Sequence, residues 1–206
     1  MSRIAAIILA AGLSTRMGRP KPMLLWRGRT LLARAADVAI DGGFDPVLAV
    51  INDSPEPAAE LARHSLRPGS GQAPRIHIVV NPDAHRGIGT SIRRGIAQLL
   101  SIDPHIAAAA ILLADQPLIT APILRELTAT YRAAGKPVAA ADMGGPIGPP
   151  VVISASLFRE LLALPDDRGA ASIWKQHPDW VARFPCPAAT ADVDTPGDFD
   201  KLPDDE

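Results

Sequence analysis

The sequence predicts an α/β protein with a three-layer α/β/α architecture and a mostly parallel central sheet. Apolar runs bounded by glycine or proline predict strands that are buried on both faces. Helix-like stretches separate these runs, and such alternation is typical of a parallel sheet covered by helices. The length of 206 residues predicts a single domain with a large core.

The first four strand–helix pairs follow from hydrophobic spacing. The predicted strands are continuous apolar segments: 4–10, 46–51, 75–80 and 107–114. The predicted helices carry apolar residues at helical spacing: 30–40, 55–64, 90–100 and 121–135. Glycines end the first and the last of these helices, and residues 66–74 predict a loop.

The pattern changes after Pro137. Segments 144–154 and 180–185 predict short strands, for which antiparallel pairing is one option. Segments 156–164 and 169–176 predict the helices around them.

Composition limits the possible partners and the location. Apolar residues make up 47% of the chain and the net charge is −1, so nothing draws the whole protein to nucleic acid or to a membrane surface. No apolar run reaches the roughly 18 residues of a transmembrane helix. Cys186 is the only cysteine, which fits a reducing cytoplasm. The alternative, that residues 3–12 begin a signal peptide, is disfavoured by the shortness of the run.

Charge is distributed unevenly along the chain. Residues 1–36 contain seven basic and no acidic side chains, whereas residues 192–206 contain seven acidic side chains and one lysine. Most of these charges are expected on solvated faces, but the basic end is suited to an anion and the acidic end to a cation.

The segment AAGLSTRMGRPK (10–21) follows the first predicted strand. Ligands of open α/β sheets bind beyond the carboxyl ends of the strands. Glycines let backbone N–H groups approach a phosphate, and Arg16 and Lys21 add positive charge. The spacing matches neither the P-loop nor the G-x-G-x-x-G pattern. An ordinary charged loop is the alternative.

The next strand end places Asn81 before GIGTSI (87–92). Backbone N–H groups and hydroxyls at a helix start offer hydrogen bonds to an anion. Thr90 or Ser91 as a simple N-cap is the alternative.

Two aspartates have the positions expected of metal ligands. Asp115 ends an apolar strand, where an unpaired carboxylate is unfavourable, and Asp194 offers a second carboxylate. Magnesium prefers one or two carboxylates together with substrate phosphates. The alternatives are a turn at Asp115 and a helix cap at Asp194. The scattered histidines favour neither a zinc site nor a Ser-His-Asp triad.

These segments together resemble the MobA-like nucleotidyltransferase family. Its pattern L-A-[AG]-G-x-S-x-R-M-G-x-x-K-x-L-L is similar to LAAGLSTRMGRPKPMLL at 9–25. Further similar stretches lie at 81–96, 111–120, 148–164, 166–170 and 192–199. The similarity covers nearly the whole chain in order. It implies a Rossmann-like fold of the nucleotide-diphospho-sugar transferase (GT-A-like) type.

Within the family, the chain is most similar to the molybdenum cofactor cytidylyltransferase (MocA-type) branch. LAAG at 9–12 resembles the CTP-using branch, whereas the GTP-using branch usually carries LAGG. GTSI and ADQP also resemble the cytidylyltransferase pattern. Relatives often carry arginine after the GA of DRGA, where this chain has Ala171. The acceptor is therefore less defined than the nucleotide.

The resemblance implies transfer of CMP from CTP to the terminal phosphate of the molybdopterin cofactor, with Mg²⁺ as cofactor and release of pyrophosphate. Residues 1–136 would form the nucleotide-binding half and 137–206 the acceptor-binding half. The implied partners are CTP, a molybdopterin-type cofactor, and a molybdoenzyme or its chaperone.

The resemblance also implies roles for particular residues. The nucleotide-binding residues would be Leu9, Ala10, Ala11, Gly12, Arg16, Lys21, Asn81, Gly89, Thr90, Ser91 and Asp115. Among these, the catalytic residues would be Arg16, Lys21 and Asp115. Asp115 and Asp194 would hold the metal. The acceptor-binding residues would be Gly148, Pro149, Asp167 and Arg168.

Two alternatives stay open at the level of sequence. One is a transferase of the same fold that uses GTP or another phosphorylated acceptor. The other is a non-catalytic molybdenum-cofactor chaperone or nucleotide-binding regulator. The presence of Arg16, Lys21, Asp115 and Asp194 together favours an enzyme, because a protein that only binds its ligand does not need all four charges.

Overall fold

A seven-stranded mixed sheet forms the centre of the molecule in the computed structural model, which describes residues 2–12, 18, 20–65 and 76–203. The strands are β1 (Ile4–Ala10), β2 (Leu25–Trp26), β3 (Arg29–Thr30), β4 (Val47–Ile51), β5 (Ile76–Val80), β6 (Ala108–Leu113), β7 (Val138–Asp142), β8 (Ile147–Ser154) and β9 (Val181–Pro185). The helices are α1 (Leu31–Asp41), α2 (Pro55–Ser65), α3 (Ile88–Ile102), α4 (Ala121–Ala134), α5 (Phe158–Leu162), α6 (Ala171–Trp174) and α7 (Pro196–Phe199). Strands β2 and β3 form a separate small ribbon.

The strand order of the large sheet is β5-β4-β1-β6-β8-β7-β9. Among the strands that the described residues form, only β8 runs against its neighbours, β6 and β7; β9 pairs parallel to β7. The mostly parallel sheet is therefore confirmed. Antiparallel pairing is right for β8 and wrong for β9. The carboxyl ends of the six parallel strands share one edge, which is where ligands of such sheets bind.

Both faces of the sheet are buried, because residues of β1 alternate between two cores. Ile4, Ile8 and their alternate neighbours pack with α1, α2 and α4 on one side. Ile7 and Leu9 pack with α3, α5 and α6 on the other. The approach of α3 is close: a Cβ added to Gly95 would lie 2.7 Å from a methyl carbon of Ile7. Because Gly95 has no side chain, α3 can pack closely on β1.

Sequence and structure differ in a few elements. Strand β7 was not predicted, because its sequence VAAAD has little β-branched or aromatic character. Helix α3 begins two residues earlier than predicted, with Gly87 as its N-cap. The N-cap alternative for Thr90 or Ser91 is therefore wrong. The predicted loop at 66–74 lies outside the described residues.

Among the described helices, none has both the length and the apolar character that crossing a membrane requires.

Candidate functional site

A cavity of about 240 Å³ opens at the carboxyl edge, where β1 and β6 lie side by side. Its floor is the backbone that continues both strands, from Leu9 to Gly12 and from Leu113 to Asp115. The cavity is lined by Leu9, Ala10, Ala11, Gly12, Lys21, Pro22, Ala84, Ile88, Ser91, Leu113, Ala114 and Asp115. The small side chains of the floor leave backbone accessible to a ligand.

Lys21 stands between two carboxylates at one end of the cavity. Its Nζ lies 3.4 Å from Asp115 Oδ2 and 2.5 Å from Asp194 Oδ1. The Lys21 side chain is 16% exposed, against 27% for Asp115 and 51% for Asp194. The three charges, distant in sequence, therefore converge at the solvent-facing mouth of the cavity.

A tight turn fixes the position of Lys21. Residues Lys21–Met23 form one turn of 3₁₀-helix after Pro20. The N–H of Met23 donates to Pro20 O, and the N–H of Leu24 donates to Lys21 O. Leu24 is buried, so the backbone that carries the ammonium group is anchored in the protein.

Asp194 is anchored through its neighbours on both sides. The N–H of Val193 donates to Asp115 O at 3.0 Å, so the two aspartate segments are hydrogen-bonded directly. Val193 is fully buried against Leu24 and Trp26. On the other side, Thr195 caps α7 through a capping box with Asp198. The helix-cap alternative for Asp194 is therefore wrong.

Burial opposes ionisation at this cluster. Desolvation raises the pKa of Asp115, and the positive charge of Lys21 partly offsets the shift. The pKa of Asp192 is raised as well, first by desolvation of its carboxyl group, although the residue as a whole is exposed. Gln116 hydrogen-bonds this carboxyl and opposes that shift. A cation at the site favours the ionised carboxylates.

The donor set fits a hard divalent cation. The oxygens of Asp115 and Asp194 already converge on one cationic group. Within the described ranges, no cluster of three or more His, Cys, Asp or Glu side chains is arranged to hold a metal. Mg²⁺ would complete its shell with water and ligand phosphates, as it commonly does.

Asn81 supports the cavity wall from behind. It is 1% exposed, and its Nδ2 donates to Thr90 Oγ1 and Ser91 Oγ, each at 2.9 Å. Thr90 Oγ1 in turn donates to Gly87 O. Because Ser91 Oγ accepts from Asn81, its own proton is available to a ligand in the cavity it lines. The structure places Asn81 and Thr90 outside the cavity lining.

Gly89 also lies behind the wall, packed against the loop after α5. Its N–H donates to Asp166 O at 2.8 Å. A Cβ on Gly89 would lie 2.0 Å from Pro165 O, so only glycine fits. Gly89 N–H is thus already hydrogen-bonded within the protein, and the close approach that glycine permits here is to backbone.

The four predicted acceptor residues lie in two places. Gly148 and Pro149 are in β8, and Gln116 Nε2 donates to Pro149 O at 3.2 Å. This contact places the start of β8 beside the turn that carries Asp115. Asp167 and Arg168 are exposed in the loop that packs on Gly89.

Of the predicted nucleotide-binding residues, seven line the cavity: Leu9, Ala10, Ala11, Gly12, Lys21, Ser91 and Asp115. Arg16 lies outside the described residues. Sequence reasoning missed five lining residues: Pro22, Ala84, Ile88, Leu113 and Ala114. Ile88 is 43% exposed although apolar, and an apolar residue at the start of a helix in a ligand loop is the signal that would have found it.

Similarity to known proteins assigns the chain to a family. Residues 6–181 match the MobA-like NTP transferase domain. The chain is 32% identical to the nicotine blue oxidoreductase of Paenarthrobacter nicotinovorans, over 93% of this chain and 92% of that protein. It is 26% identical to the purine catabolism protein PucB of Bacillus subtilis, over 97% and 95%.

A solved structure agrees in fold. Rv0371c of Mycobacterium tuberculosis superposes with a TM-score of 0.74 at 26% identity, covering 98% of each chain. A second structure of that protein, in complex with manganese, gives a TM-score of 0.68. The chain therefore belongs to the MobA-like NTP transferase family and has the fold of the nucleotide-diphospho-sugar transferases.

Proposed function

We propose that the protein is a Mg²⁺-dependent cytidylyltransferase that transfers CMP from CTP to the terminal phosphate of a molybdopterin-type cofactor. The observation that carries the proposal is the convergence of Lys21, Asp115 and Asp194 at the mouth of a cavity floored by backbone. Such a set of charges suits a triphosphate with its metal, because phosphoryl transfer is catalysed mainly by positioning and charge neutralisation.

The cavity divides into two regions with different chemistry. The apolar region beside Leu9, Ile88 and Leu113 would receive the base and ribose. The backbone from Ala10 to Gly12 would hydrogen-bond them, and Ser91 Oγ would donate to the nucleotide. The triphosphate would then extend toward Lys21, with Arg16 as a second cation.

In the reaction, a terminal phosphate oxygen of the acceptor attacks the α-phosphorus of CTP. The bond from that phosphorus to the bridging oxygen breaks, and pyrophosphate leaves with the bonding electrons. Lys21 would neutralise the charge that develops on the leaving group. Asp115 and Asp194 would hold Mg²⁺, which supplies further charge neutralisation on the phosphates when bound.

The acceptor would lie on the β8 side of the cavity. Gly148 and Pro149 flank the Asp115 turn there, and Asp167 and Arg168 are exposed for polar contacts. The division into a nucleotide-binding half (1–136) and an acceptor-binding half (137–206) is part of the proposal. So are a cytoplasmic location and delivery of the product to a molybdoenzyme or its chaperone.

A second candidate function is redox chemistry. It is favoured by the similarity over almost the full length to nicotine blue oxidoreductase. The Lys21–Asp115–Asp194 cluster argues for the transferase, because reduction of an organic substrate has no need of two carboxylates gathered around a lysine. The two functions differ in their products, so one set of assays separates them.

The test is pyrophosphate release with Mg²⁺, molybdopterin cofactor and each of CTP, GTP, ATP and UTP. We expect release with CTP alone, and its loss on Lys21→Ala. The matched control is Lys201→Ala, since Lys201 is 81% exposed and lies 4.0 Å from Asp198 in α7. Release with GTP alone would overturn the assignment of CTP. No release, together with oxidation or reduction of nicotine blue in the presence of a redox partner, would replace the transferase by the redox function.

A further inference from the structure

The loop after α5 (residues 163–170) is held against the first turn of α3 by the carboxylate of Asp166. Arg86 donates to Asp166 Oδ2 at 2.6 Å, and Arg93 donates to Asp166 Oδ1. Arg93 also donates to Leu164 O. The two arginines flank the α3 turn, so Asp166 connects both ends of that turn to the loop. These charge-assisted contacts hold the pKa of Asp166 below its usual range.

Backbone contacts reinforce the ion pairs. The N–H of Gly89 donates to Asp166 O, so the same residue binds the turn through its side chain and its main chain. A Cβ on Gly87 would lie 2.3 Å from Asp166 O. Gly87 also has φ of +135°, a conformation that other residues rarely adopt. The turn and the loop are thus in backbone contact.

This turn carries one wall of the cavity. Ile88 and Ser91 line the cavity from it, and both lie between Arg86 and Arg93 in sequence. On the loop, Asp166 is followed at once by the exposed Asp167 and Arg168. A shift of the loop would therefore move the cavity wall, and a shift of the wall would move the loop.

We propose that Asp166 is a positioning residue that holds the Ile88–Ser91 wall of the cavity in place for the nucleotide and ties the proposed acceptor loop to it. The inference rests on the proposed nucleotide-binding function. Asp166 itself does not line the cavity, so it acts through the α3 turn. Loss of its charge should loosen the wall, while the hydrogen bond from the N–H of Gly89 to the backbone oxygen of residue 166 remains.

The chain offers a matched control at the opposite edge of the sheet. Asp103, at the carboxyl end of α3, accepts from Arg3 at 2.6 Å. Its side chain is 14% exposed, against 28% for Asp166, so both are partly buried carboxylates that bridge distant segments. Asp103→Asn removes a comparable ion pair far from the cavity.

The experiment measures the dissociation constant of CTP with Mg²⁺ by calorimetry, together with amide hydrogen exchange of residues 88–91. For Asp166→Asn we expect binding weaker by roughly 2- to 30-fold, the range for residues that act through others. Exchange in the α3 turn should become faster. Asp166→Glu should restore part of the affinity, whereas Asp103→Asn should leave both readouts as in the wild type. Should Asp166→Asn fail to fold, Arg86→Gln removes only the outer, 56% exposed arm of the bridge.

Each outcome decides the matter. Weaker CTP binding and faster exchange in Asp166→Asn alone support the inference. Wild-type affinity in Asp166→Asn overturns it and leaves the proposed function standing. Equal weakening in Asp166→Asn and Asp103→Asn also overturns it, because the effect is then general destabilisation. If the wild-type protein itself binds none of CTP, GTP, ATP and UTP, the proposed function fails, and the inference falls with it.

Discussion

Removing the Lys21 ammonium group should strengthen metal binding to the nucleotide-free protein while it weakens catalysis. Lys21 Nζ occupies the point on which Asp115 and Asp194 converge, 3.4 and 2.5 Å from their oxygens. A divalent cation must displace this ammonium group or bind beside it. Under the proposed function, a bound triphosphate would give Lys21 a new anionic partner and release the carboxylates to the metal. Nucleotide and metal should therefore bind cooperatively.

The size of the effect follows from the geometry. Two unit charges about 4 Å apart interact by ~1 kcal/mol in water and ~4 kcal/mol at a dielectric constant of about 20. The carboxylates are 27% and 51% exposed, so solvent screening holds the interaction between these two figures and nearer the lower one. The repulsion between the Lys21 ammonium group and a dication is twice the value for two unit charges. The flexible lysine side chain can move away from the metal, which removes part of this repulsion. About 1–2 kcal/mol remains, which corresponds to roughly tenfold tighter binding in Lys21→Ala.

The assay is titration of the protein with Mn²⁺ in the absence of nucleotide, with free Mn²⁺ followed by electron paramagnetic resonance. Lys201→Ala should bind Mn²⁺ like the wild type, and Asp194→Asn should bind it more weakly. In turnover, Lys21→Ala should lose roughly 10² in rate, as expected for one charge-stabilising donor. Unchanged or weaker Mn²⁺ binding by Lys21→Ala would refute the competition between lysine and metal.

Three further substitutions test the framework of the site. Gly89→Ala should lower the free energy of unfolding by about 1–3 kcal/mol, since its Cβ meets Pro165 O; Gly197→Ala, whose nearest neighbour lies at 3.9 Å, is the control in urea unfolding. Asn81→Ala removes the donor to two buried hydroxyls and should lower the same free energy by about 1–3 kcal/mol; a stability within error of wild type would contradict this role. Asp166 has a lowered pKa, so its ion pairs stabilise the fold above the ordinary carboxyl range and are lost as pH falls through the lowered value. Asp166→Asn should thus be less stable than wild type at pH 7, and the difference should shrink toward pH 3; a constant difference would argue against the ion pairs as its cause.

Much of the sheet is predictable because its signal is local. Strand β1 occupies the predicted residues 4–10, since seven buried positions in a row leave an uninterrupted apolar run. Strand β7 is not predicted by the sequence, because its alanines are compatible with a helix as well as with a strand. The β2–β3 ribbon has two residues in each strand, too few for any periodicity to show.

In the site, too, features of a single segment are predictable from the sequence, whereas contacts between distant segments are not. The position of Asp115 follows from the rule that strand ends share one edge, because it comes soon after β6. The rule does not place Asp194, because β9, the strand before it, is the outermost strand of the sheet. The packing of Gly89 on Pro165 joins segments that are far apart in sequence and gives no local sign. The sequence accordingly predicts that Gly89 binds the nucleotide, whereas in the structure Gly89 packs against the backbone of Pro165 and Asp166.

The pairing of Lys21 with Asp194 has a consequence for synthesis of the protein. The two residues are 173 positions apart, and Val193, next to Asp194, is buried against Leu24 and Trp26. At roughly 5–20 residues per second, about 9–35 seconds separate their emergence from the ribosome. The residues of β1 and of the turn at Lys21 are made early, but the charge cluster can assemble only after the segment around Asp194 has been made. A growing chain therefore cannot form the proposed site for metal and triphosphate before Asp194 has left the ribosome.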